Sequence, residues 1–292
     1  MAGDPGKTRS LTVVAKLYRD FQTVEELDKQ YLPGLRIPDA AVVRARWIPD
    51  NERMGKSVRP GLFYGPSLDE YADIFPASTP GAPIHVFLHG GYWRANAPRD
   101  FYFVAERLVQ DGFCVVIPNY SLCPKVTLDE IVRQMRACLK WVHRSGSSFD
   151  GDPSNVTVSG HSAGGHLTAM ILLTDWQGEY GIDPAFIRGG VAVSGLYDLM
   201  PFPYTTLQPS LQLTWDQVAR QSPIKQTGPL CAPLKLAVGG DESEEFHRQM
   251  NDYAAHAKLD CFAVPDINHL TVLAAYLDRN SALYRAIRRV AE

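Results

Sequence analysis

From Pro83 onward, short apolar runs alternate with longer amphipathic segments. The runs are continuous and β-rich, as expected of strands that are buried on both faces of a sheet. Among the intervening segments, 100–112 and 127–146 have apolar residues at helical spacing, and 243–257 and 270–290 also have helical patterns. The predicted strands are 84–89, 113–120, 155–159, 190–195, 233–240 and 259–266. This alternation predicts an α/β chain in which helices cover both faces of a mostly parallel sheet.

The first 80 residues follow a different pattern, because prolines and glycines interrupt their short elements. We predict an N-terminal extension over 1–80 that packs on the core, with a helix near 23–31 and an edge strand near 57–65. Residues 81–292 then form the main domain. Within it, the irregular stretch at about 200–223 is expected to form a small cap or lid.

Composition limits the partners and the compartment. The 292 residues carry a formal net charge of −3 without a dense Lys/Arg block, which argues against nucleic acid and favours a small-molecule partner. The apolar stretches 11–15 and 167–173 are too short for a signal peptide and a membrane span, respectively. Five dispersed cysteines without C-x-x-C spacing indicate reduced thiols. These features predict a cytoplasmic protein that does not bind a membrane, while a homodimer stays open.

One serine lies where a predicted strand turns into a predicted helix. The segment 160-GHSAG-164 follows strand 155–159 and fits G-x-S-x-G, a turn that exposes a serine hydroxyl for attack on a carbonyl. The alternative is a tight turn of small residues with no chemical role. In a sheet of this kind the partners of such a serine come later in the chain, an acid first and then a histidine. Ser162 is therefore the candidate nucleophile.

The candidate partners follow the last two predicted strands. His269 lies just past strand 259–266, where an imidazole can act as a general base. Asp241 and Glu242 follow strand 233–240, and either carboxylate could hold that imidazole. Spacing alone does not choose between them.

Backbone donors for a developing oxyanion are expected in 88-LHGGYWRA-95, after the first predicted strand. Gly90, Gly91 and Tyr92 would supply N–H groups together with Ala163, the residue after the serine. His85 and His89 share a strand face, but no third ligand accompanies them, so we predict no metal and no cofactor.

Aromatic residues near the top of the predicted sheet are candidates for a substrate pocket. For any one of them, packing in the core or the cap is the alternative. The candidates are Trp93, Tyr120, Trp176, Tyr204 and Trp215.

Together these motifs resemble the α/β-hydrolase superfamily, and within it the arylformamidase (kynurenine formamidase) group, a neighbour of the hormone-sensitive-lipase-like esterases. The resemblance is carried by 89-HGGYWRA-95, 119-NYSLCPKVTLDEIVRQ-134, 160-GHSAGGHLTAMIL-172, 194-SGLYDL-199 and 245-EFHRQ-249. It implies a triad of Ser162, Glu242 and His269, with Asp241 as the fallback acid. The formamidases carry Asp at the position of Glu242, which weakens the transfer of their substrate.

The expected function is that of a metal-independent serine hydrolase. Its substrate would be a small ester or an aryl N-formyl amide such as N-formylkynurenine, cleaved through an acyl-enzyme. The alternative within the enzymes is a carboxylesterase for short-chain or aryl esters. The alternative of another class is a non-catalytic small-molecule receptor on a hydrolase scaffold.

Overall fold

The computed structural model describes residues 16–291, so the apolar stretch 11–15 lies outside the described part of the chain. Its centre is an eight-stranded sheet with the strand order β1-β2-β4-β3-β5-β6-β7-β8. Strands β3 to β8 run parallel, whereas β1 and β2 add an antiparallel edge beside β4. The strands are β1 Arg59–Phe63, β2 Tyr71–Phe75, β3 Ala82–Leu88, β4 Cys114–Pro118, β5 Gly151–His161, β6 Ile187–Val193, β7 Leu234–Gly239 and β8 Asp260–Val264.

Helices cover both faces of this sheet, which confirms the predicted α/β architecture. Along β3, Ile84, Val86 and Leu88 belong to one apolar cluster and Phe87 belongs to the other, as the two-residue period of a strand requires. Helices α6, α7 and α11 contribute to the first cluster, and α5 and α12 contribute to the second. The helices are α1 Val24–Tyr31, α2 Pro33–Arg36, α3 Ala40–Ala45, α4 Ile48–Met54, α5 Ala105–Gln110, α6 Leu128–Ser145, α7 Ala163–Leu172, α8 Trp176–Tyr180, α9 Gln208–Leu211, α10 Trp215–Gln221, α11 Glu244–Ala257 and α12 Ala282–Ala291.

Two predicted helices are shorter than their patterns suggested. The segment 100–112 begins as a 3₁₀ helix, Pro98–Val104, before α5, and the Phe103 amide there donates to the Asn51 side chain. The predicted final helix over 270–290 is broken into a 3₁₀ helix, Thr271–Tyr276, and α12. The break falls at 278-DRNS-281, where Asp278 forms a turn and the Ser281 hydroxyl accepts the Tyr284 amide.

The N-terminal region joins the main body in two ways. Strands β1 and β2 are hydrogen-bonded into the sheet, whereas α1 packs on α11. The stretch 200–223 contains a 3₁₀ helix, Phe202–Tyr204, together with α9 and α10, and packs on α6 through Gln217 and Gln221, which both donate to Asp129. The division of the chain at residue 80 and a lid function for 200–223 stay predictions. Among residues 16–291, no helix is both long and apolar enough to cross a membrane.

Candidate active site

Ser162 occupies a strained turn between β5 and α7. Its backbone has φ 58° and ψ −117°, a region that residues with a side chain seldom adopt, and its amide donates to the Val193 carbonyl at 2.8 Å. Glycines make the turn sterically feasible. A Cβ at Gly160 would overlap the Gly164 carbonyl, and a Cβ at Gly164 would overlap the Leu88 carbonyl. The local sequence therefore forms a strand–turn–helix with the serine at its apex.

Glu242 and His269 form a buried pair. The His269 Nδ1–H donates to Glu242 Oε2 at 2.6 Å, so Nε2 is the ring nitrogen that is available to accept a proton from a hydroxyl. The other oxygen of the carboxylate, Oε1, accepts the Gly239 amide at 2.8 Å and the Ser194 hydroxyl. Asp241 is exposed instead. The structure therefore brings Glu242, rather than Asp241, to the histidine.

His161, the residue before Ser162, holds the histidine loop against the serine turn. Its Nε2–H donates to the main-chain carbonyl of His269 at 2.8 Å, and the two rings lie 4.6 Å apart. Burial holds the pKa of His161 well below its usual range, so the ring is neutral and this contact persists at neutral pH. The Phe246 ring packs against His269 at 4.5 Å. Within the described residues, no hydrogen bond joins the Ser162 hydroxyl to the His269 ring.

The loop after β3 runs beside the serine in an unusual backbone conformation. Gly91, Tyr92 and Trp93 have consecutive positive φ values of 123°, 50° and 54°. At Gly91 a side chain would also overlap the Ala95 carbonyl. A Cβ added at Gly90 would lie 3.2 Å from the Cβ of Ser162. Sequence and packing thus place this loop directly against the serine turn.

Several amides at this junction are free to bind an oxyanion. Within residues 16–291, the N–H groups of Gly90, Gly91, Tyr92 and Ala163 donate to no main-chain or side-chain acceptor. Unpaired backbone donors are rare in buried segments, since each one costs free energy. Next to a hydroxyl, such a group of donors can stabilise negative charge on an oxygen.

Four of the predicted pocket aromatics lie near this junction or on the stretch 200–223. Trp93 is buried edge-on against His166, with ring centroids 5.0 Å apart. Tyr120 stacks on His89 at 4.3 Å, and its hydroxyl donates to the His89 carbonyl. Tyr204 and Trp215 are neighbours at 5.7 Å on the stretch 200–223, and Trp215 is 54% exposed. Trp93 and Tyr120 thus support the loop, whereas Tyr204 and Trp215 form an aromatic edge on the stretch 200–223.

Trp176 is a correction to the predicted pocket. Its indole N–H donates to the Ile171 carbonyl, and its ring packs edge-on against Phe186 at 5.4 Å. Phe186 comes just before β6, at the starting end of the strand, whereas the serine turn lies where parallel strands finish. Trp176 therefore belongs to the core at the opposite end of the sheet.

Two further buried histidines, His85 and His166, have structural hydrogen bonds. His85 bonds Thr157 at 2.8 Å and Ser159 at 2.7 Å, and the His166 ring donates to the Gln221 carbonyl at 2.7 Å. Burial lowers the pKa of His85 to about 3 and that of His166 to about 4. In the described part of the chain, no cluster of three or more His, Cys, Asp or Glu side chains is arranged to hold a metal ion.

Sequence reasoning missed two residues at this site. Ser194 contacts Glu242, although the sequence marked it only as part of 194-SGLYDL-199. Tyr31, in the N-terminal region, accepts the Tyr92 hydroxyl at its carbonyl and donates its own hydroxyl to Glu245 at 2.6 Å. No local signal indicates either contact, because each joins segments that are far apart in the chain.

Comparison with known proteins identifies the family. The model of the BD-FAE family matches residues 72–189. A kynurenine formamidase from Danio rerio is 31% identical over 287 residues, which cover 91% of this chain and 96% of that protein. A kynurenine formamidase from Salmo salar is 33% identical over 74% of this chain and 76% of its own length.

Solved structures agree with this result. A protein from Silicibacter sp. TM1040, provisionally described as a thioesterase, is 29% identical, with a TM-score of 0.81 over 90% of this chain and 99% of its own. The metagenomic carboxylesterase EstE1 is 18% identical, with a TM-score of 0.61 over 86% of this chain and 95% of its own, and shares the fold. The chain is therefore a serine hydrolase with the α/β-hydrolase fold and belongs to the kynurenine formamidase family.

Proposed function

We propose that this chain hydrolyses an aryl N-formyl amide of the N-formylkynurenine kind through an acyl-enzyme on Ser162. The observation that supports this most is the 2.6 Å pair of Glu242 and His269, held beside the strained Ser162 turn by His161. A carboxylate, an imidazole and a hydroxyl in this chain order are the groups that acyl transfer by serine requires.

In the proposed first half-reaction, the Ser162 hydroxyl closes on His269 when substrate binds. Catalytic hydrogen bonds are often long without substrate and tighten in its complex. The Ser162 oxygen attacks the formyl carbon while His269 Nε2 takes the hydroxyl proton. Glu242 keeps the other ring nitrogen protonated and stabilises the imidazolium. The C–N bond then breaks, and the arylamine leaves with the proton returned by His269.

In the second half-reaction, water replaces the amine. His269 takes a proton from the water, whose oxygen attacks the formyl ester of Ser162, and formate leaves as the serine regains its proton. Both tetrahedral intermediates carry a negative oxygen. The free amides of Gly91, Tyr92 and Ala163, with Gly90 beside them, are the proposed donors to that oxygen. All of these steps use protein groups and water alone.

Tight packing around the site supports a small acyl group. Ser162 and His269 are only 4% and 6% exposed. A formyl group suits such surroundings better than a long acyl chain. The aromatic edge formed by Tyr204 and Trp215 is the proposed contact for the aryl part of the substrate.

A carboxylesterase is the second candidate, and Glu242 is the observation that favours it. The resemblance to formamidases leads to an Asp at this position, whereas α/β-hydrolases in general use either Asp or Glu as the triad acid. A short-chain ester would be cleaved by the same steps, with an alcohol in place of the amine.

The test is a comparison of two substrates on the purified protein and on Ser162→Ala. We expect kcat/KM for N-formylkynurenine to exceed that for p-nitrophenyl acetate, and we expect the variant to lose both activities. Rapid ester cleavage without formamide cleavage would instead support the carboxylesterase. A folded protein that cleaves neither substrate would support the receptor.

A further inference from the structure

We propose that Ser194 is a positioning residue that orients the Glu242 carboxylate toward His269. This inference rests on the proposed function, because it assigns a role toward the acid of that mechanism. Ser194 itself touches neither Ser162 nor His269 through a hydrogen bond in the described chain, so it acts only through the acid.

The fold places Ser194 between the two halves of the site. It directly follows β6, the strand that lies between β5, which leads to Ser162, and β7, which leads to Glu242. The Ser194 amide donates to the Ala237 carbonyl at 2.7 Å, which ties its backbone to β7. Its side chain is 1% exposed. Ser194 is therefore fixed on both sides before its hydroxyl contacts the carboxylate.

The two carboxylate oxygens of Glu242 have separate partners. Oε1 accepts the Ser194 hydroxyl and the Gly239 amide, whereas among the described residues Oε2 accepts only the His269 ring. Two donors on one oxygen fix the rotation of the carboxylate about its last bond. A glutamate has one more rotatable bond than an aspartate, so its carboxylate has more orientations to lose. The Ser194 hydroxyl removes that freedom in favour of the orientation that meets His269.

The backbone of Ser194 argues against a purely structural role. Its φ of 50° lies in the left-handed region, where glycine is favoured and a residue with a side chain is strained. A glycine would fit this conformation without strain. The Ser194 hydroxyl donates to Glu242 and to no other acceptor in the described chain. A serine at this position thus has one visible benefit, its contact with the acid.

The informative variant is Ser194→Gly, because it removes the hydroxyl and relieves the backbone strain together. We expect kcat to fall about tenfold, which corresponds to about 1.4 kcal/mol, with KM unchanged within about twofold. The acid limb of the kcat/KM profile should move to higher pH, because the Glu242 carboxylate that faces the imidazole loses one hydrogen-bond donor. Thermal stability should not fall.

A double-mutant cycle with Glu242→Ala separates this role from general damage. Once the carboxylate is absent, Ser194 has nothing to orient, so Ser194→Gly should cost no further activity. The matched control is Ser222→Ala. Ser222 is a fully buried serine whose hydroxyl donates to the Val218 carbonyl at 2.6 Å, and its replacement should lower the melting temperature without moving the pH profile.

An equal loss of kcat from Ser194→Gly with and without Glu242, or an unmoved acid limb, would overturn the inference. Failure of the proposed function looks different, because Ser162→Ala would then retain the activity of the parent protein. If Ser162→Ala is inactive and the cycle shows no coupling, only the role of Ser194 is refuted.

Discussion

Two histidines of this protein are similarly buried but have chemically different hydrogen-bond partners. His85, on β3, is held by the hydroxyls of Thr157 and Ser159, whereas His269, after β8, is held by the carboxylate of Glu242. Tyr276 donates to Ser159, and Thr157 donates to the Ile84 carbonyl, so the network around His85 is complete with a neutral ring. A carboxylate can stabilise an imidazolium during a reaction, and neutral hydroxyls stabilise it far less. In the proposed mechanism, the role of a buried histidine therefore depends on its hydrogen-bond partner rather than on its burial.

The first prediction compares these two histidines directly and has the largest expected effect. His269→Ala should lower kcat about 10⁵–10⁶-fold, because the proposed base is lost while binding groups remain. His85→Gln should leave kcat within a few-fold and instead lower stability by about 1–3 kcal/mol, because it disturbs a buried hydrogen-bond network. Steady-state kinetics and thermal unfolding of both variants are the measurements. A small kinetic effect of His269→Ala, or a large one of His85→Gln, would contradict the comparison.

The second prediction tests which of two adjacent carboxylates, Glu242 or Asp241, supports His269. Glu242→Ala should lower kcat about 10³–10⁴-fold, because the imidazole loses both its orientation and its counter-charge. Asp241→Ala removes an exposed neighbour and should change kcat less than about twofold. Kinetics at saturating substrate measure both variants. A larger loss of activity in the Asp241 variant than in the Glu242 variant would contradict the assignment of Glu242 as the acid.

The third prediction concerns the acid side of the stability curve. Burial lowers the pKa of His85 to about 3, whereas a histidine in the unfolded chain titrates near its ordinary value of 6.5. Between these values the unfolded chain binds the extra proton, so stability is lost as pH falls below about 6.5. Each such histidine contributes up to about 1.4 kcal/mol per pH unit.

His85→Gln should therefore make the unfolding free energy depend less steeply on pH between about pH 4 and 6. The difference corresponds to at most about one bound proton. Denaturant unfolding at several pH values measures that slope. His143→Gln is the matched control, since His143 is only partly buried, and it should leave the slope closer to that of the parent protein. A parallel slope for His85→Gln and the parent would show that His85 does not stay neutral in the fold.

Local sequence was sufficient for some of these features. The turn around Ser162 could be predicted because it depends on Gly160 and Gly164, which lie only four positions apart. A side chain at either position would overlap nearby main-chain atoms. The strands could be predicted because burial on both faces leaves continuous apolar runs. The loop at Gly90 and Gly91 was identified for the same reason, since its conformation depends on its own glycines.

Features set by tertiary contacts could not be predicted from local pattern. Asp241 and Glu242 are adjacent, and only the packing of the β8 loop, where the Asp241 amide donates to the Ile267 carbonyl, turns one inward and leaves the other exposed. Trp176 was wrongly predicted to line the pocket, because the local sequence does not indicate at which end of the sheet an aromatic residue packs. Ser194 was missed because its contact with Glu242 joins residues 48 positions apart.

The most direct test of the central claim is covalent labelling of the protein with an alkyl fluorophosphonate at neutral pH, followed by intact-mass and peptide mass spectrometry. The claim is that the Glu242–His269 pair activates the Ser162 hydroxyl. It predicts one adduct per chain, located on Ser162, and labelling slowed by several orders of magnitude in folded His269→Ala. A folded parent protein that stays unlabelled at Ser162, or one that is labelled equally fast without His269, would contradict it.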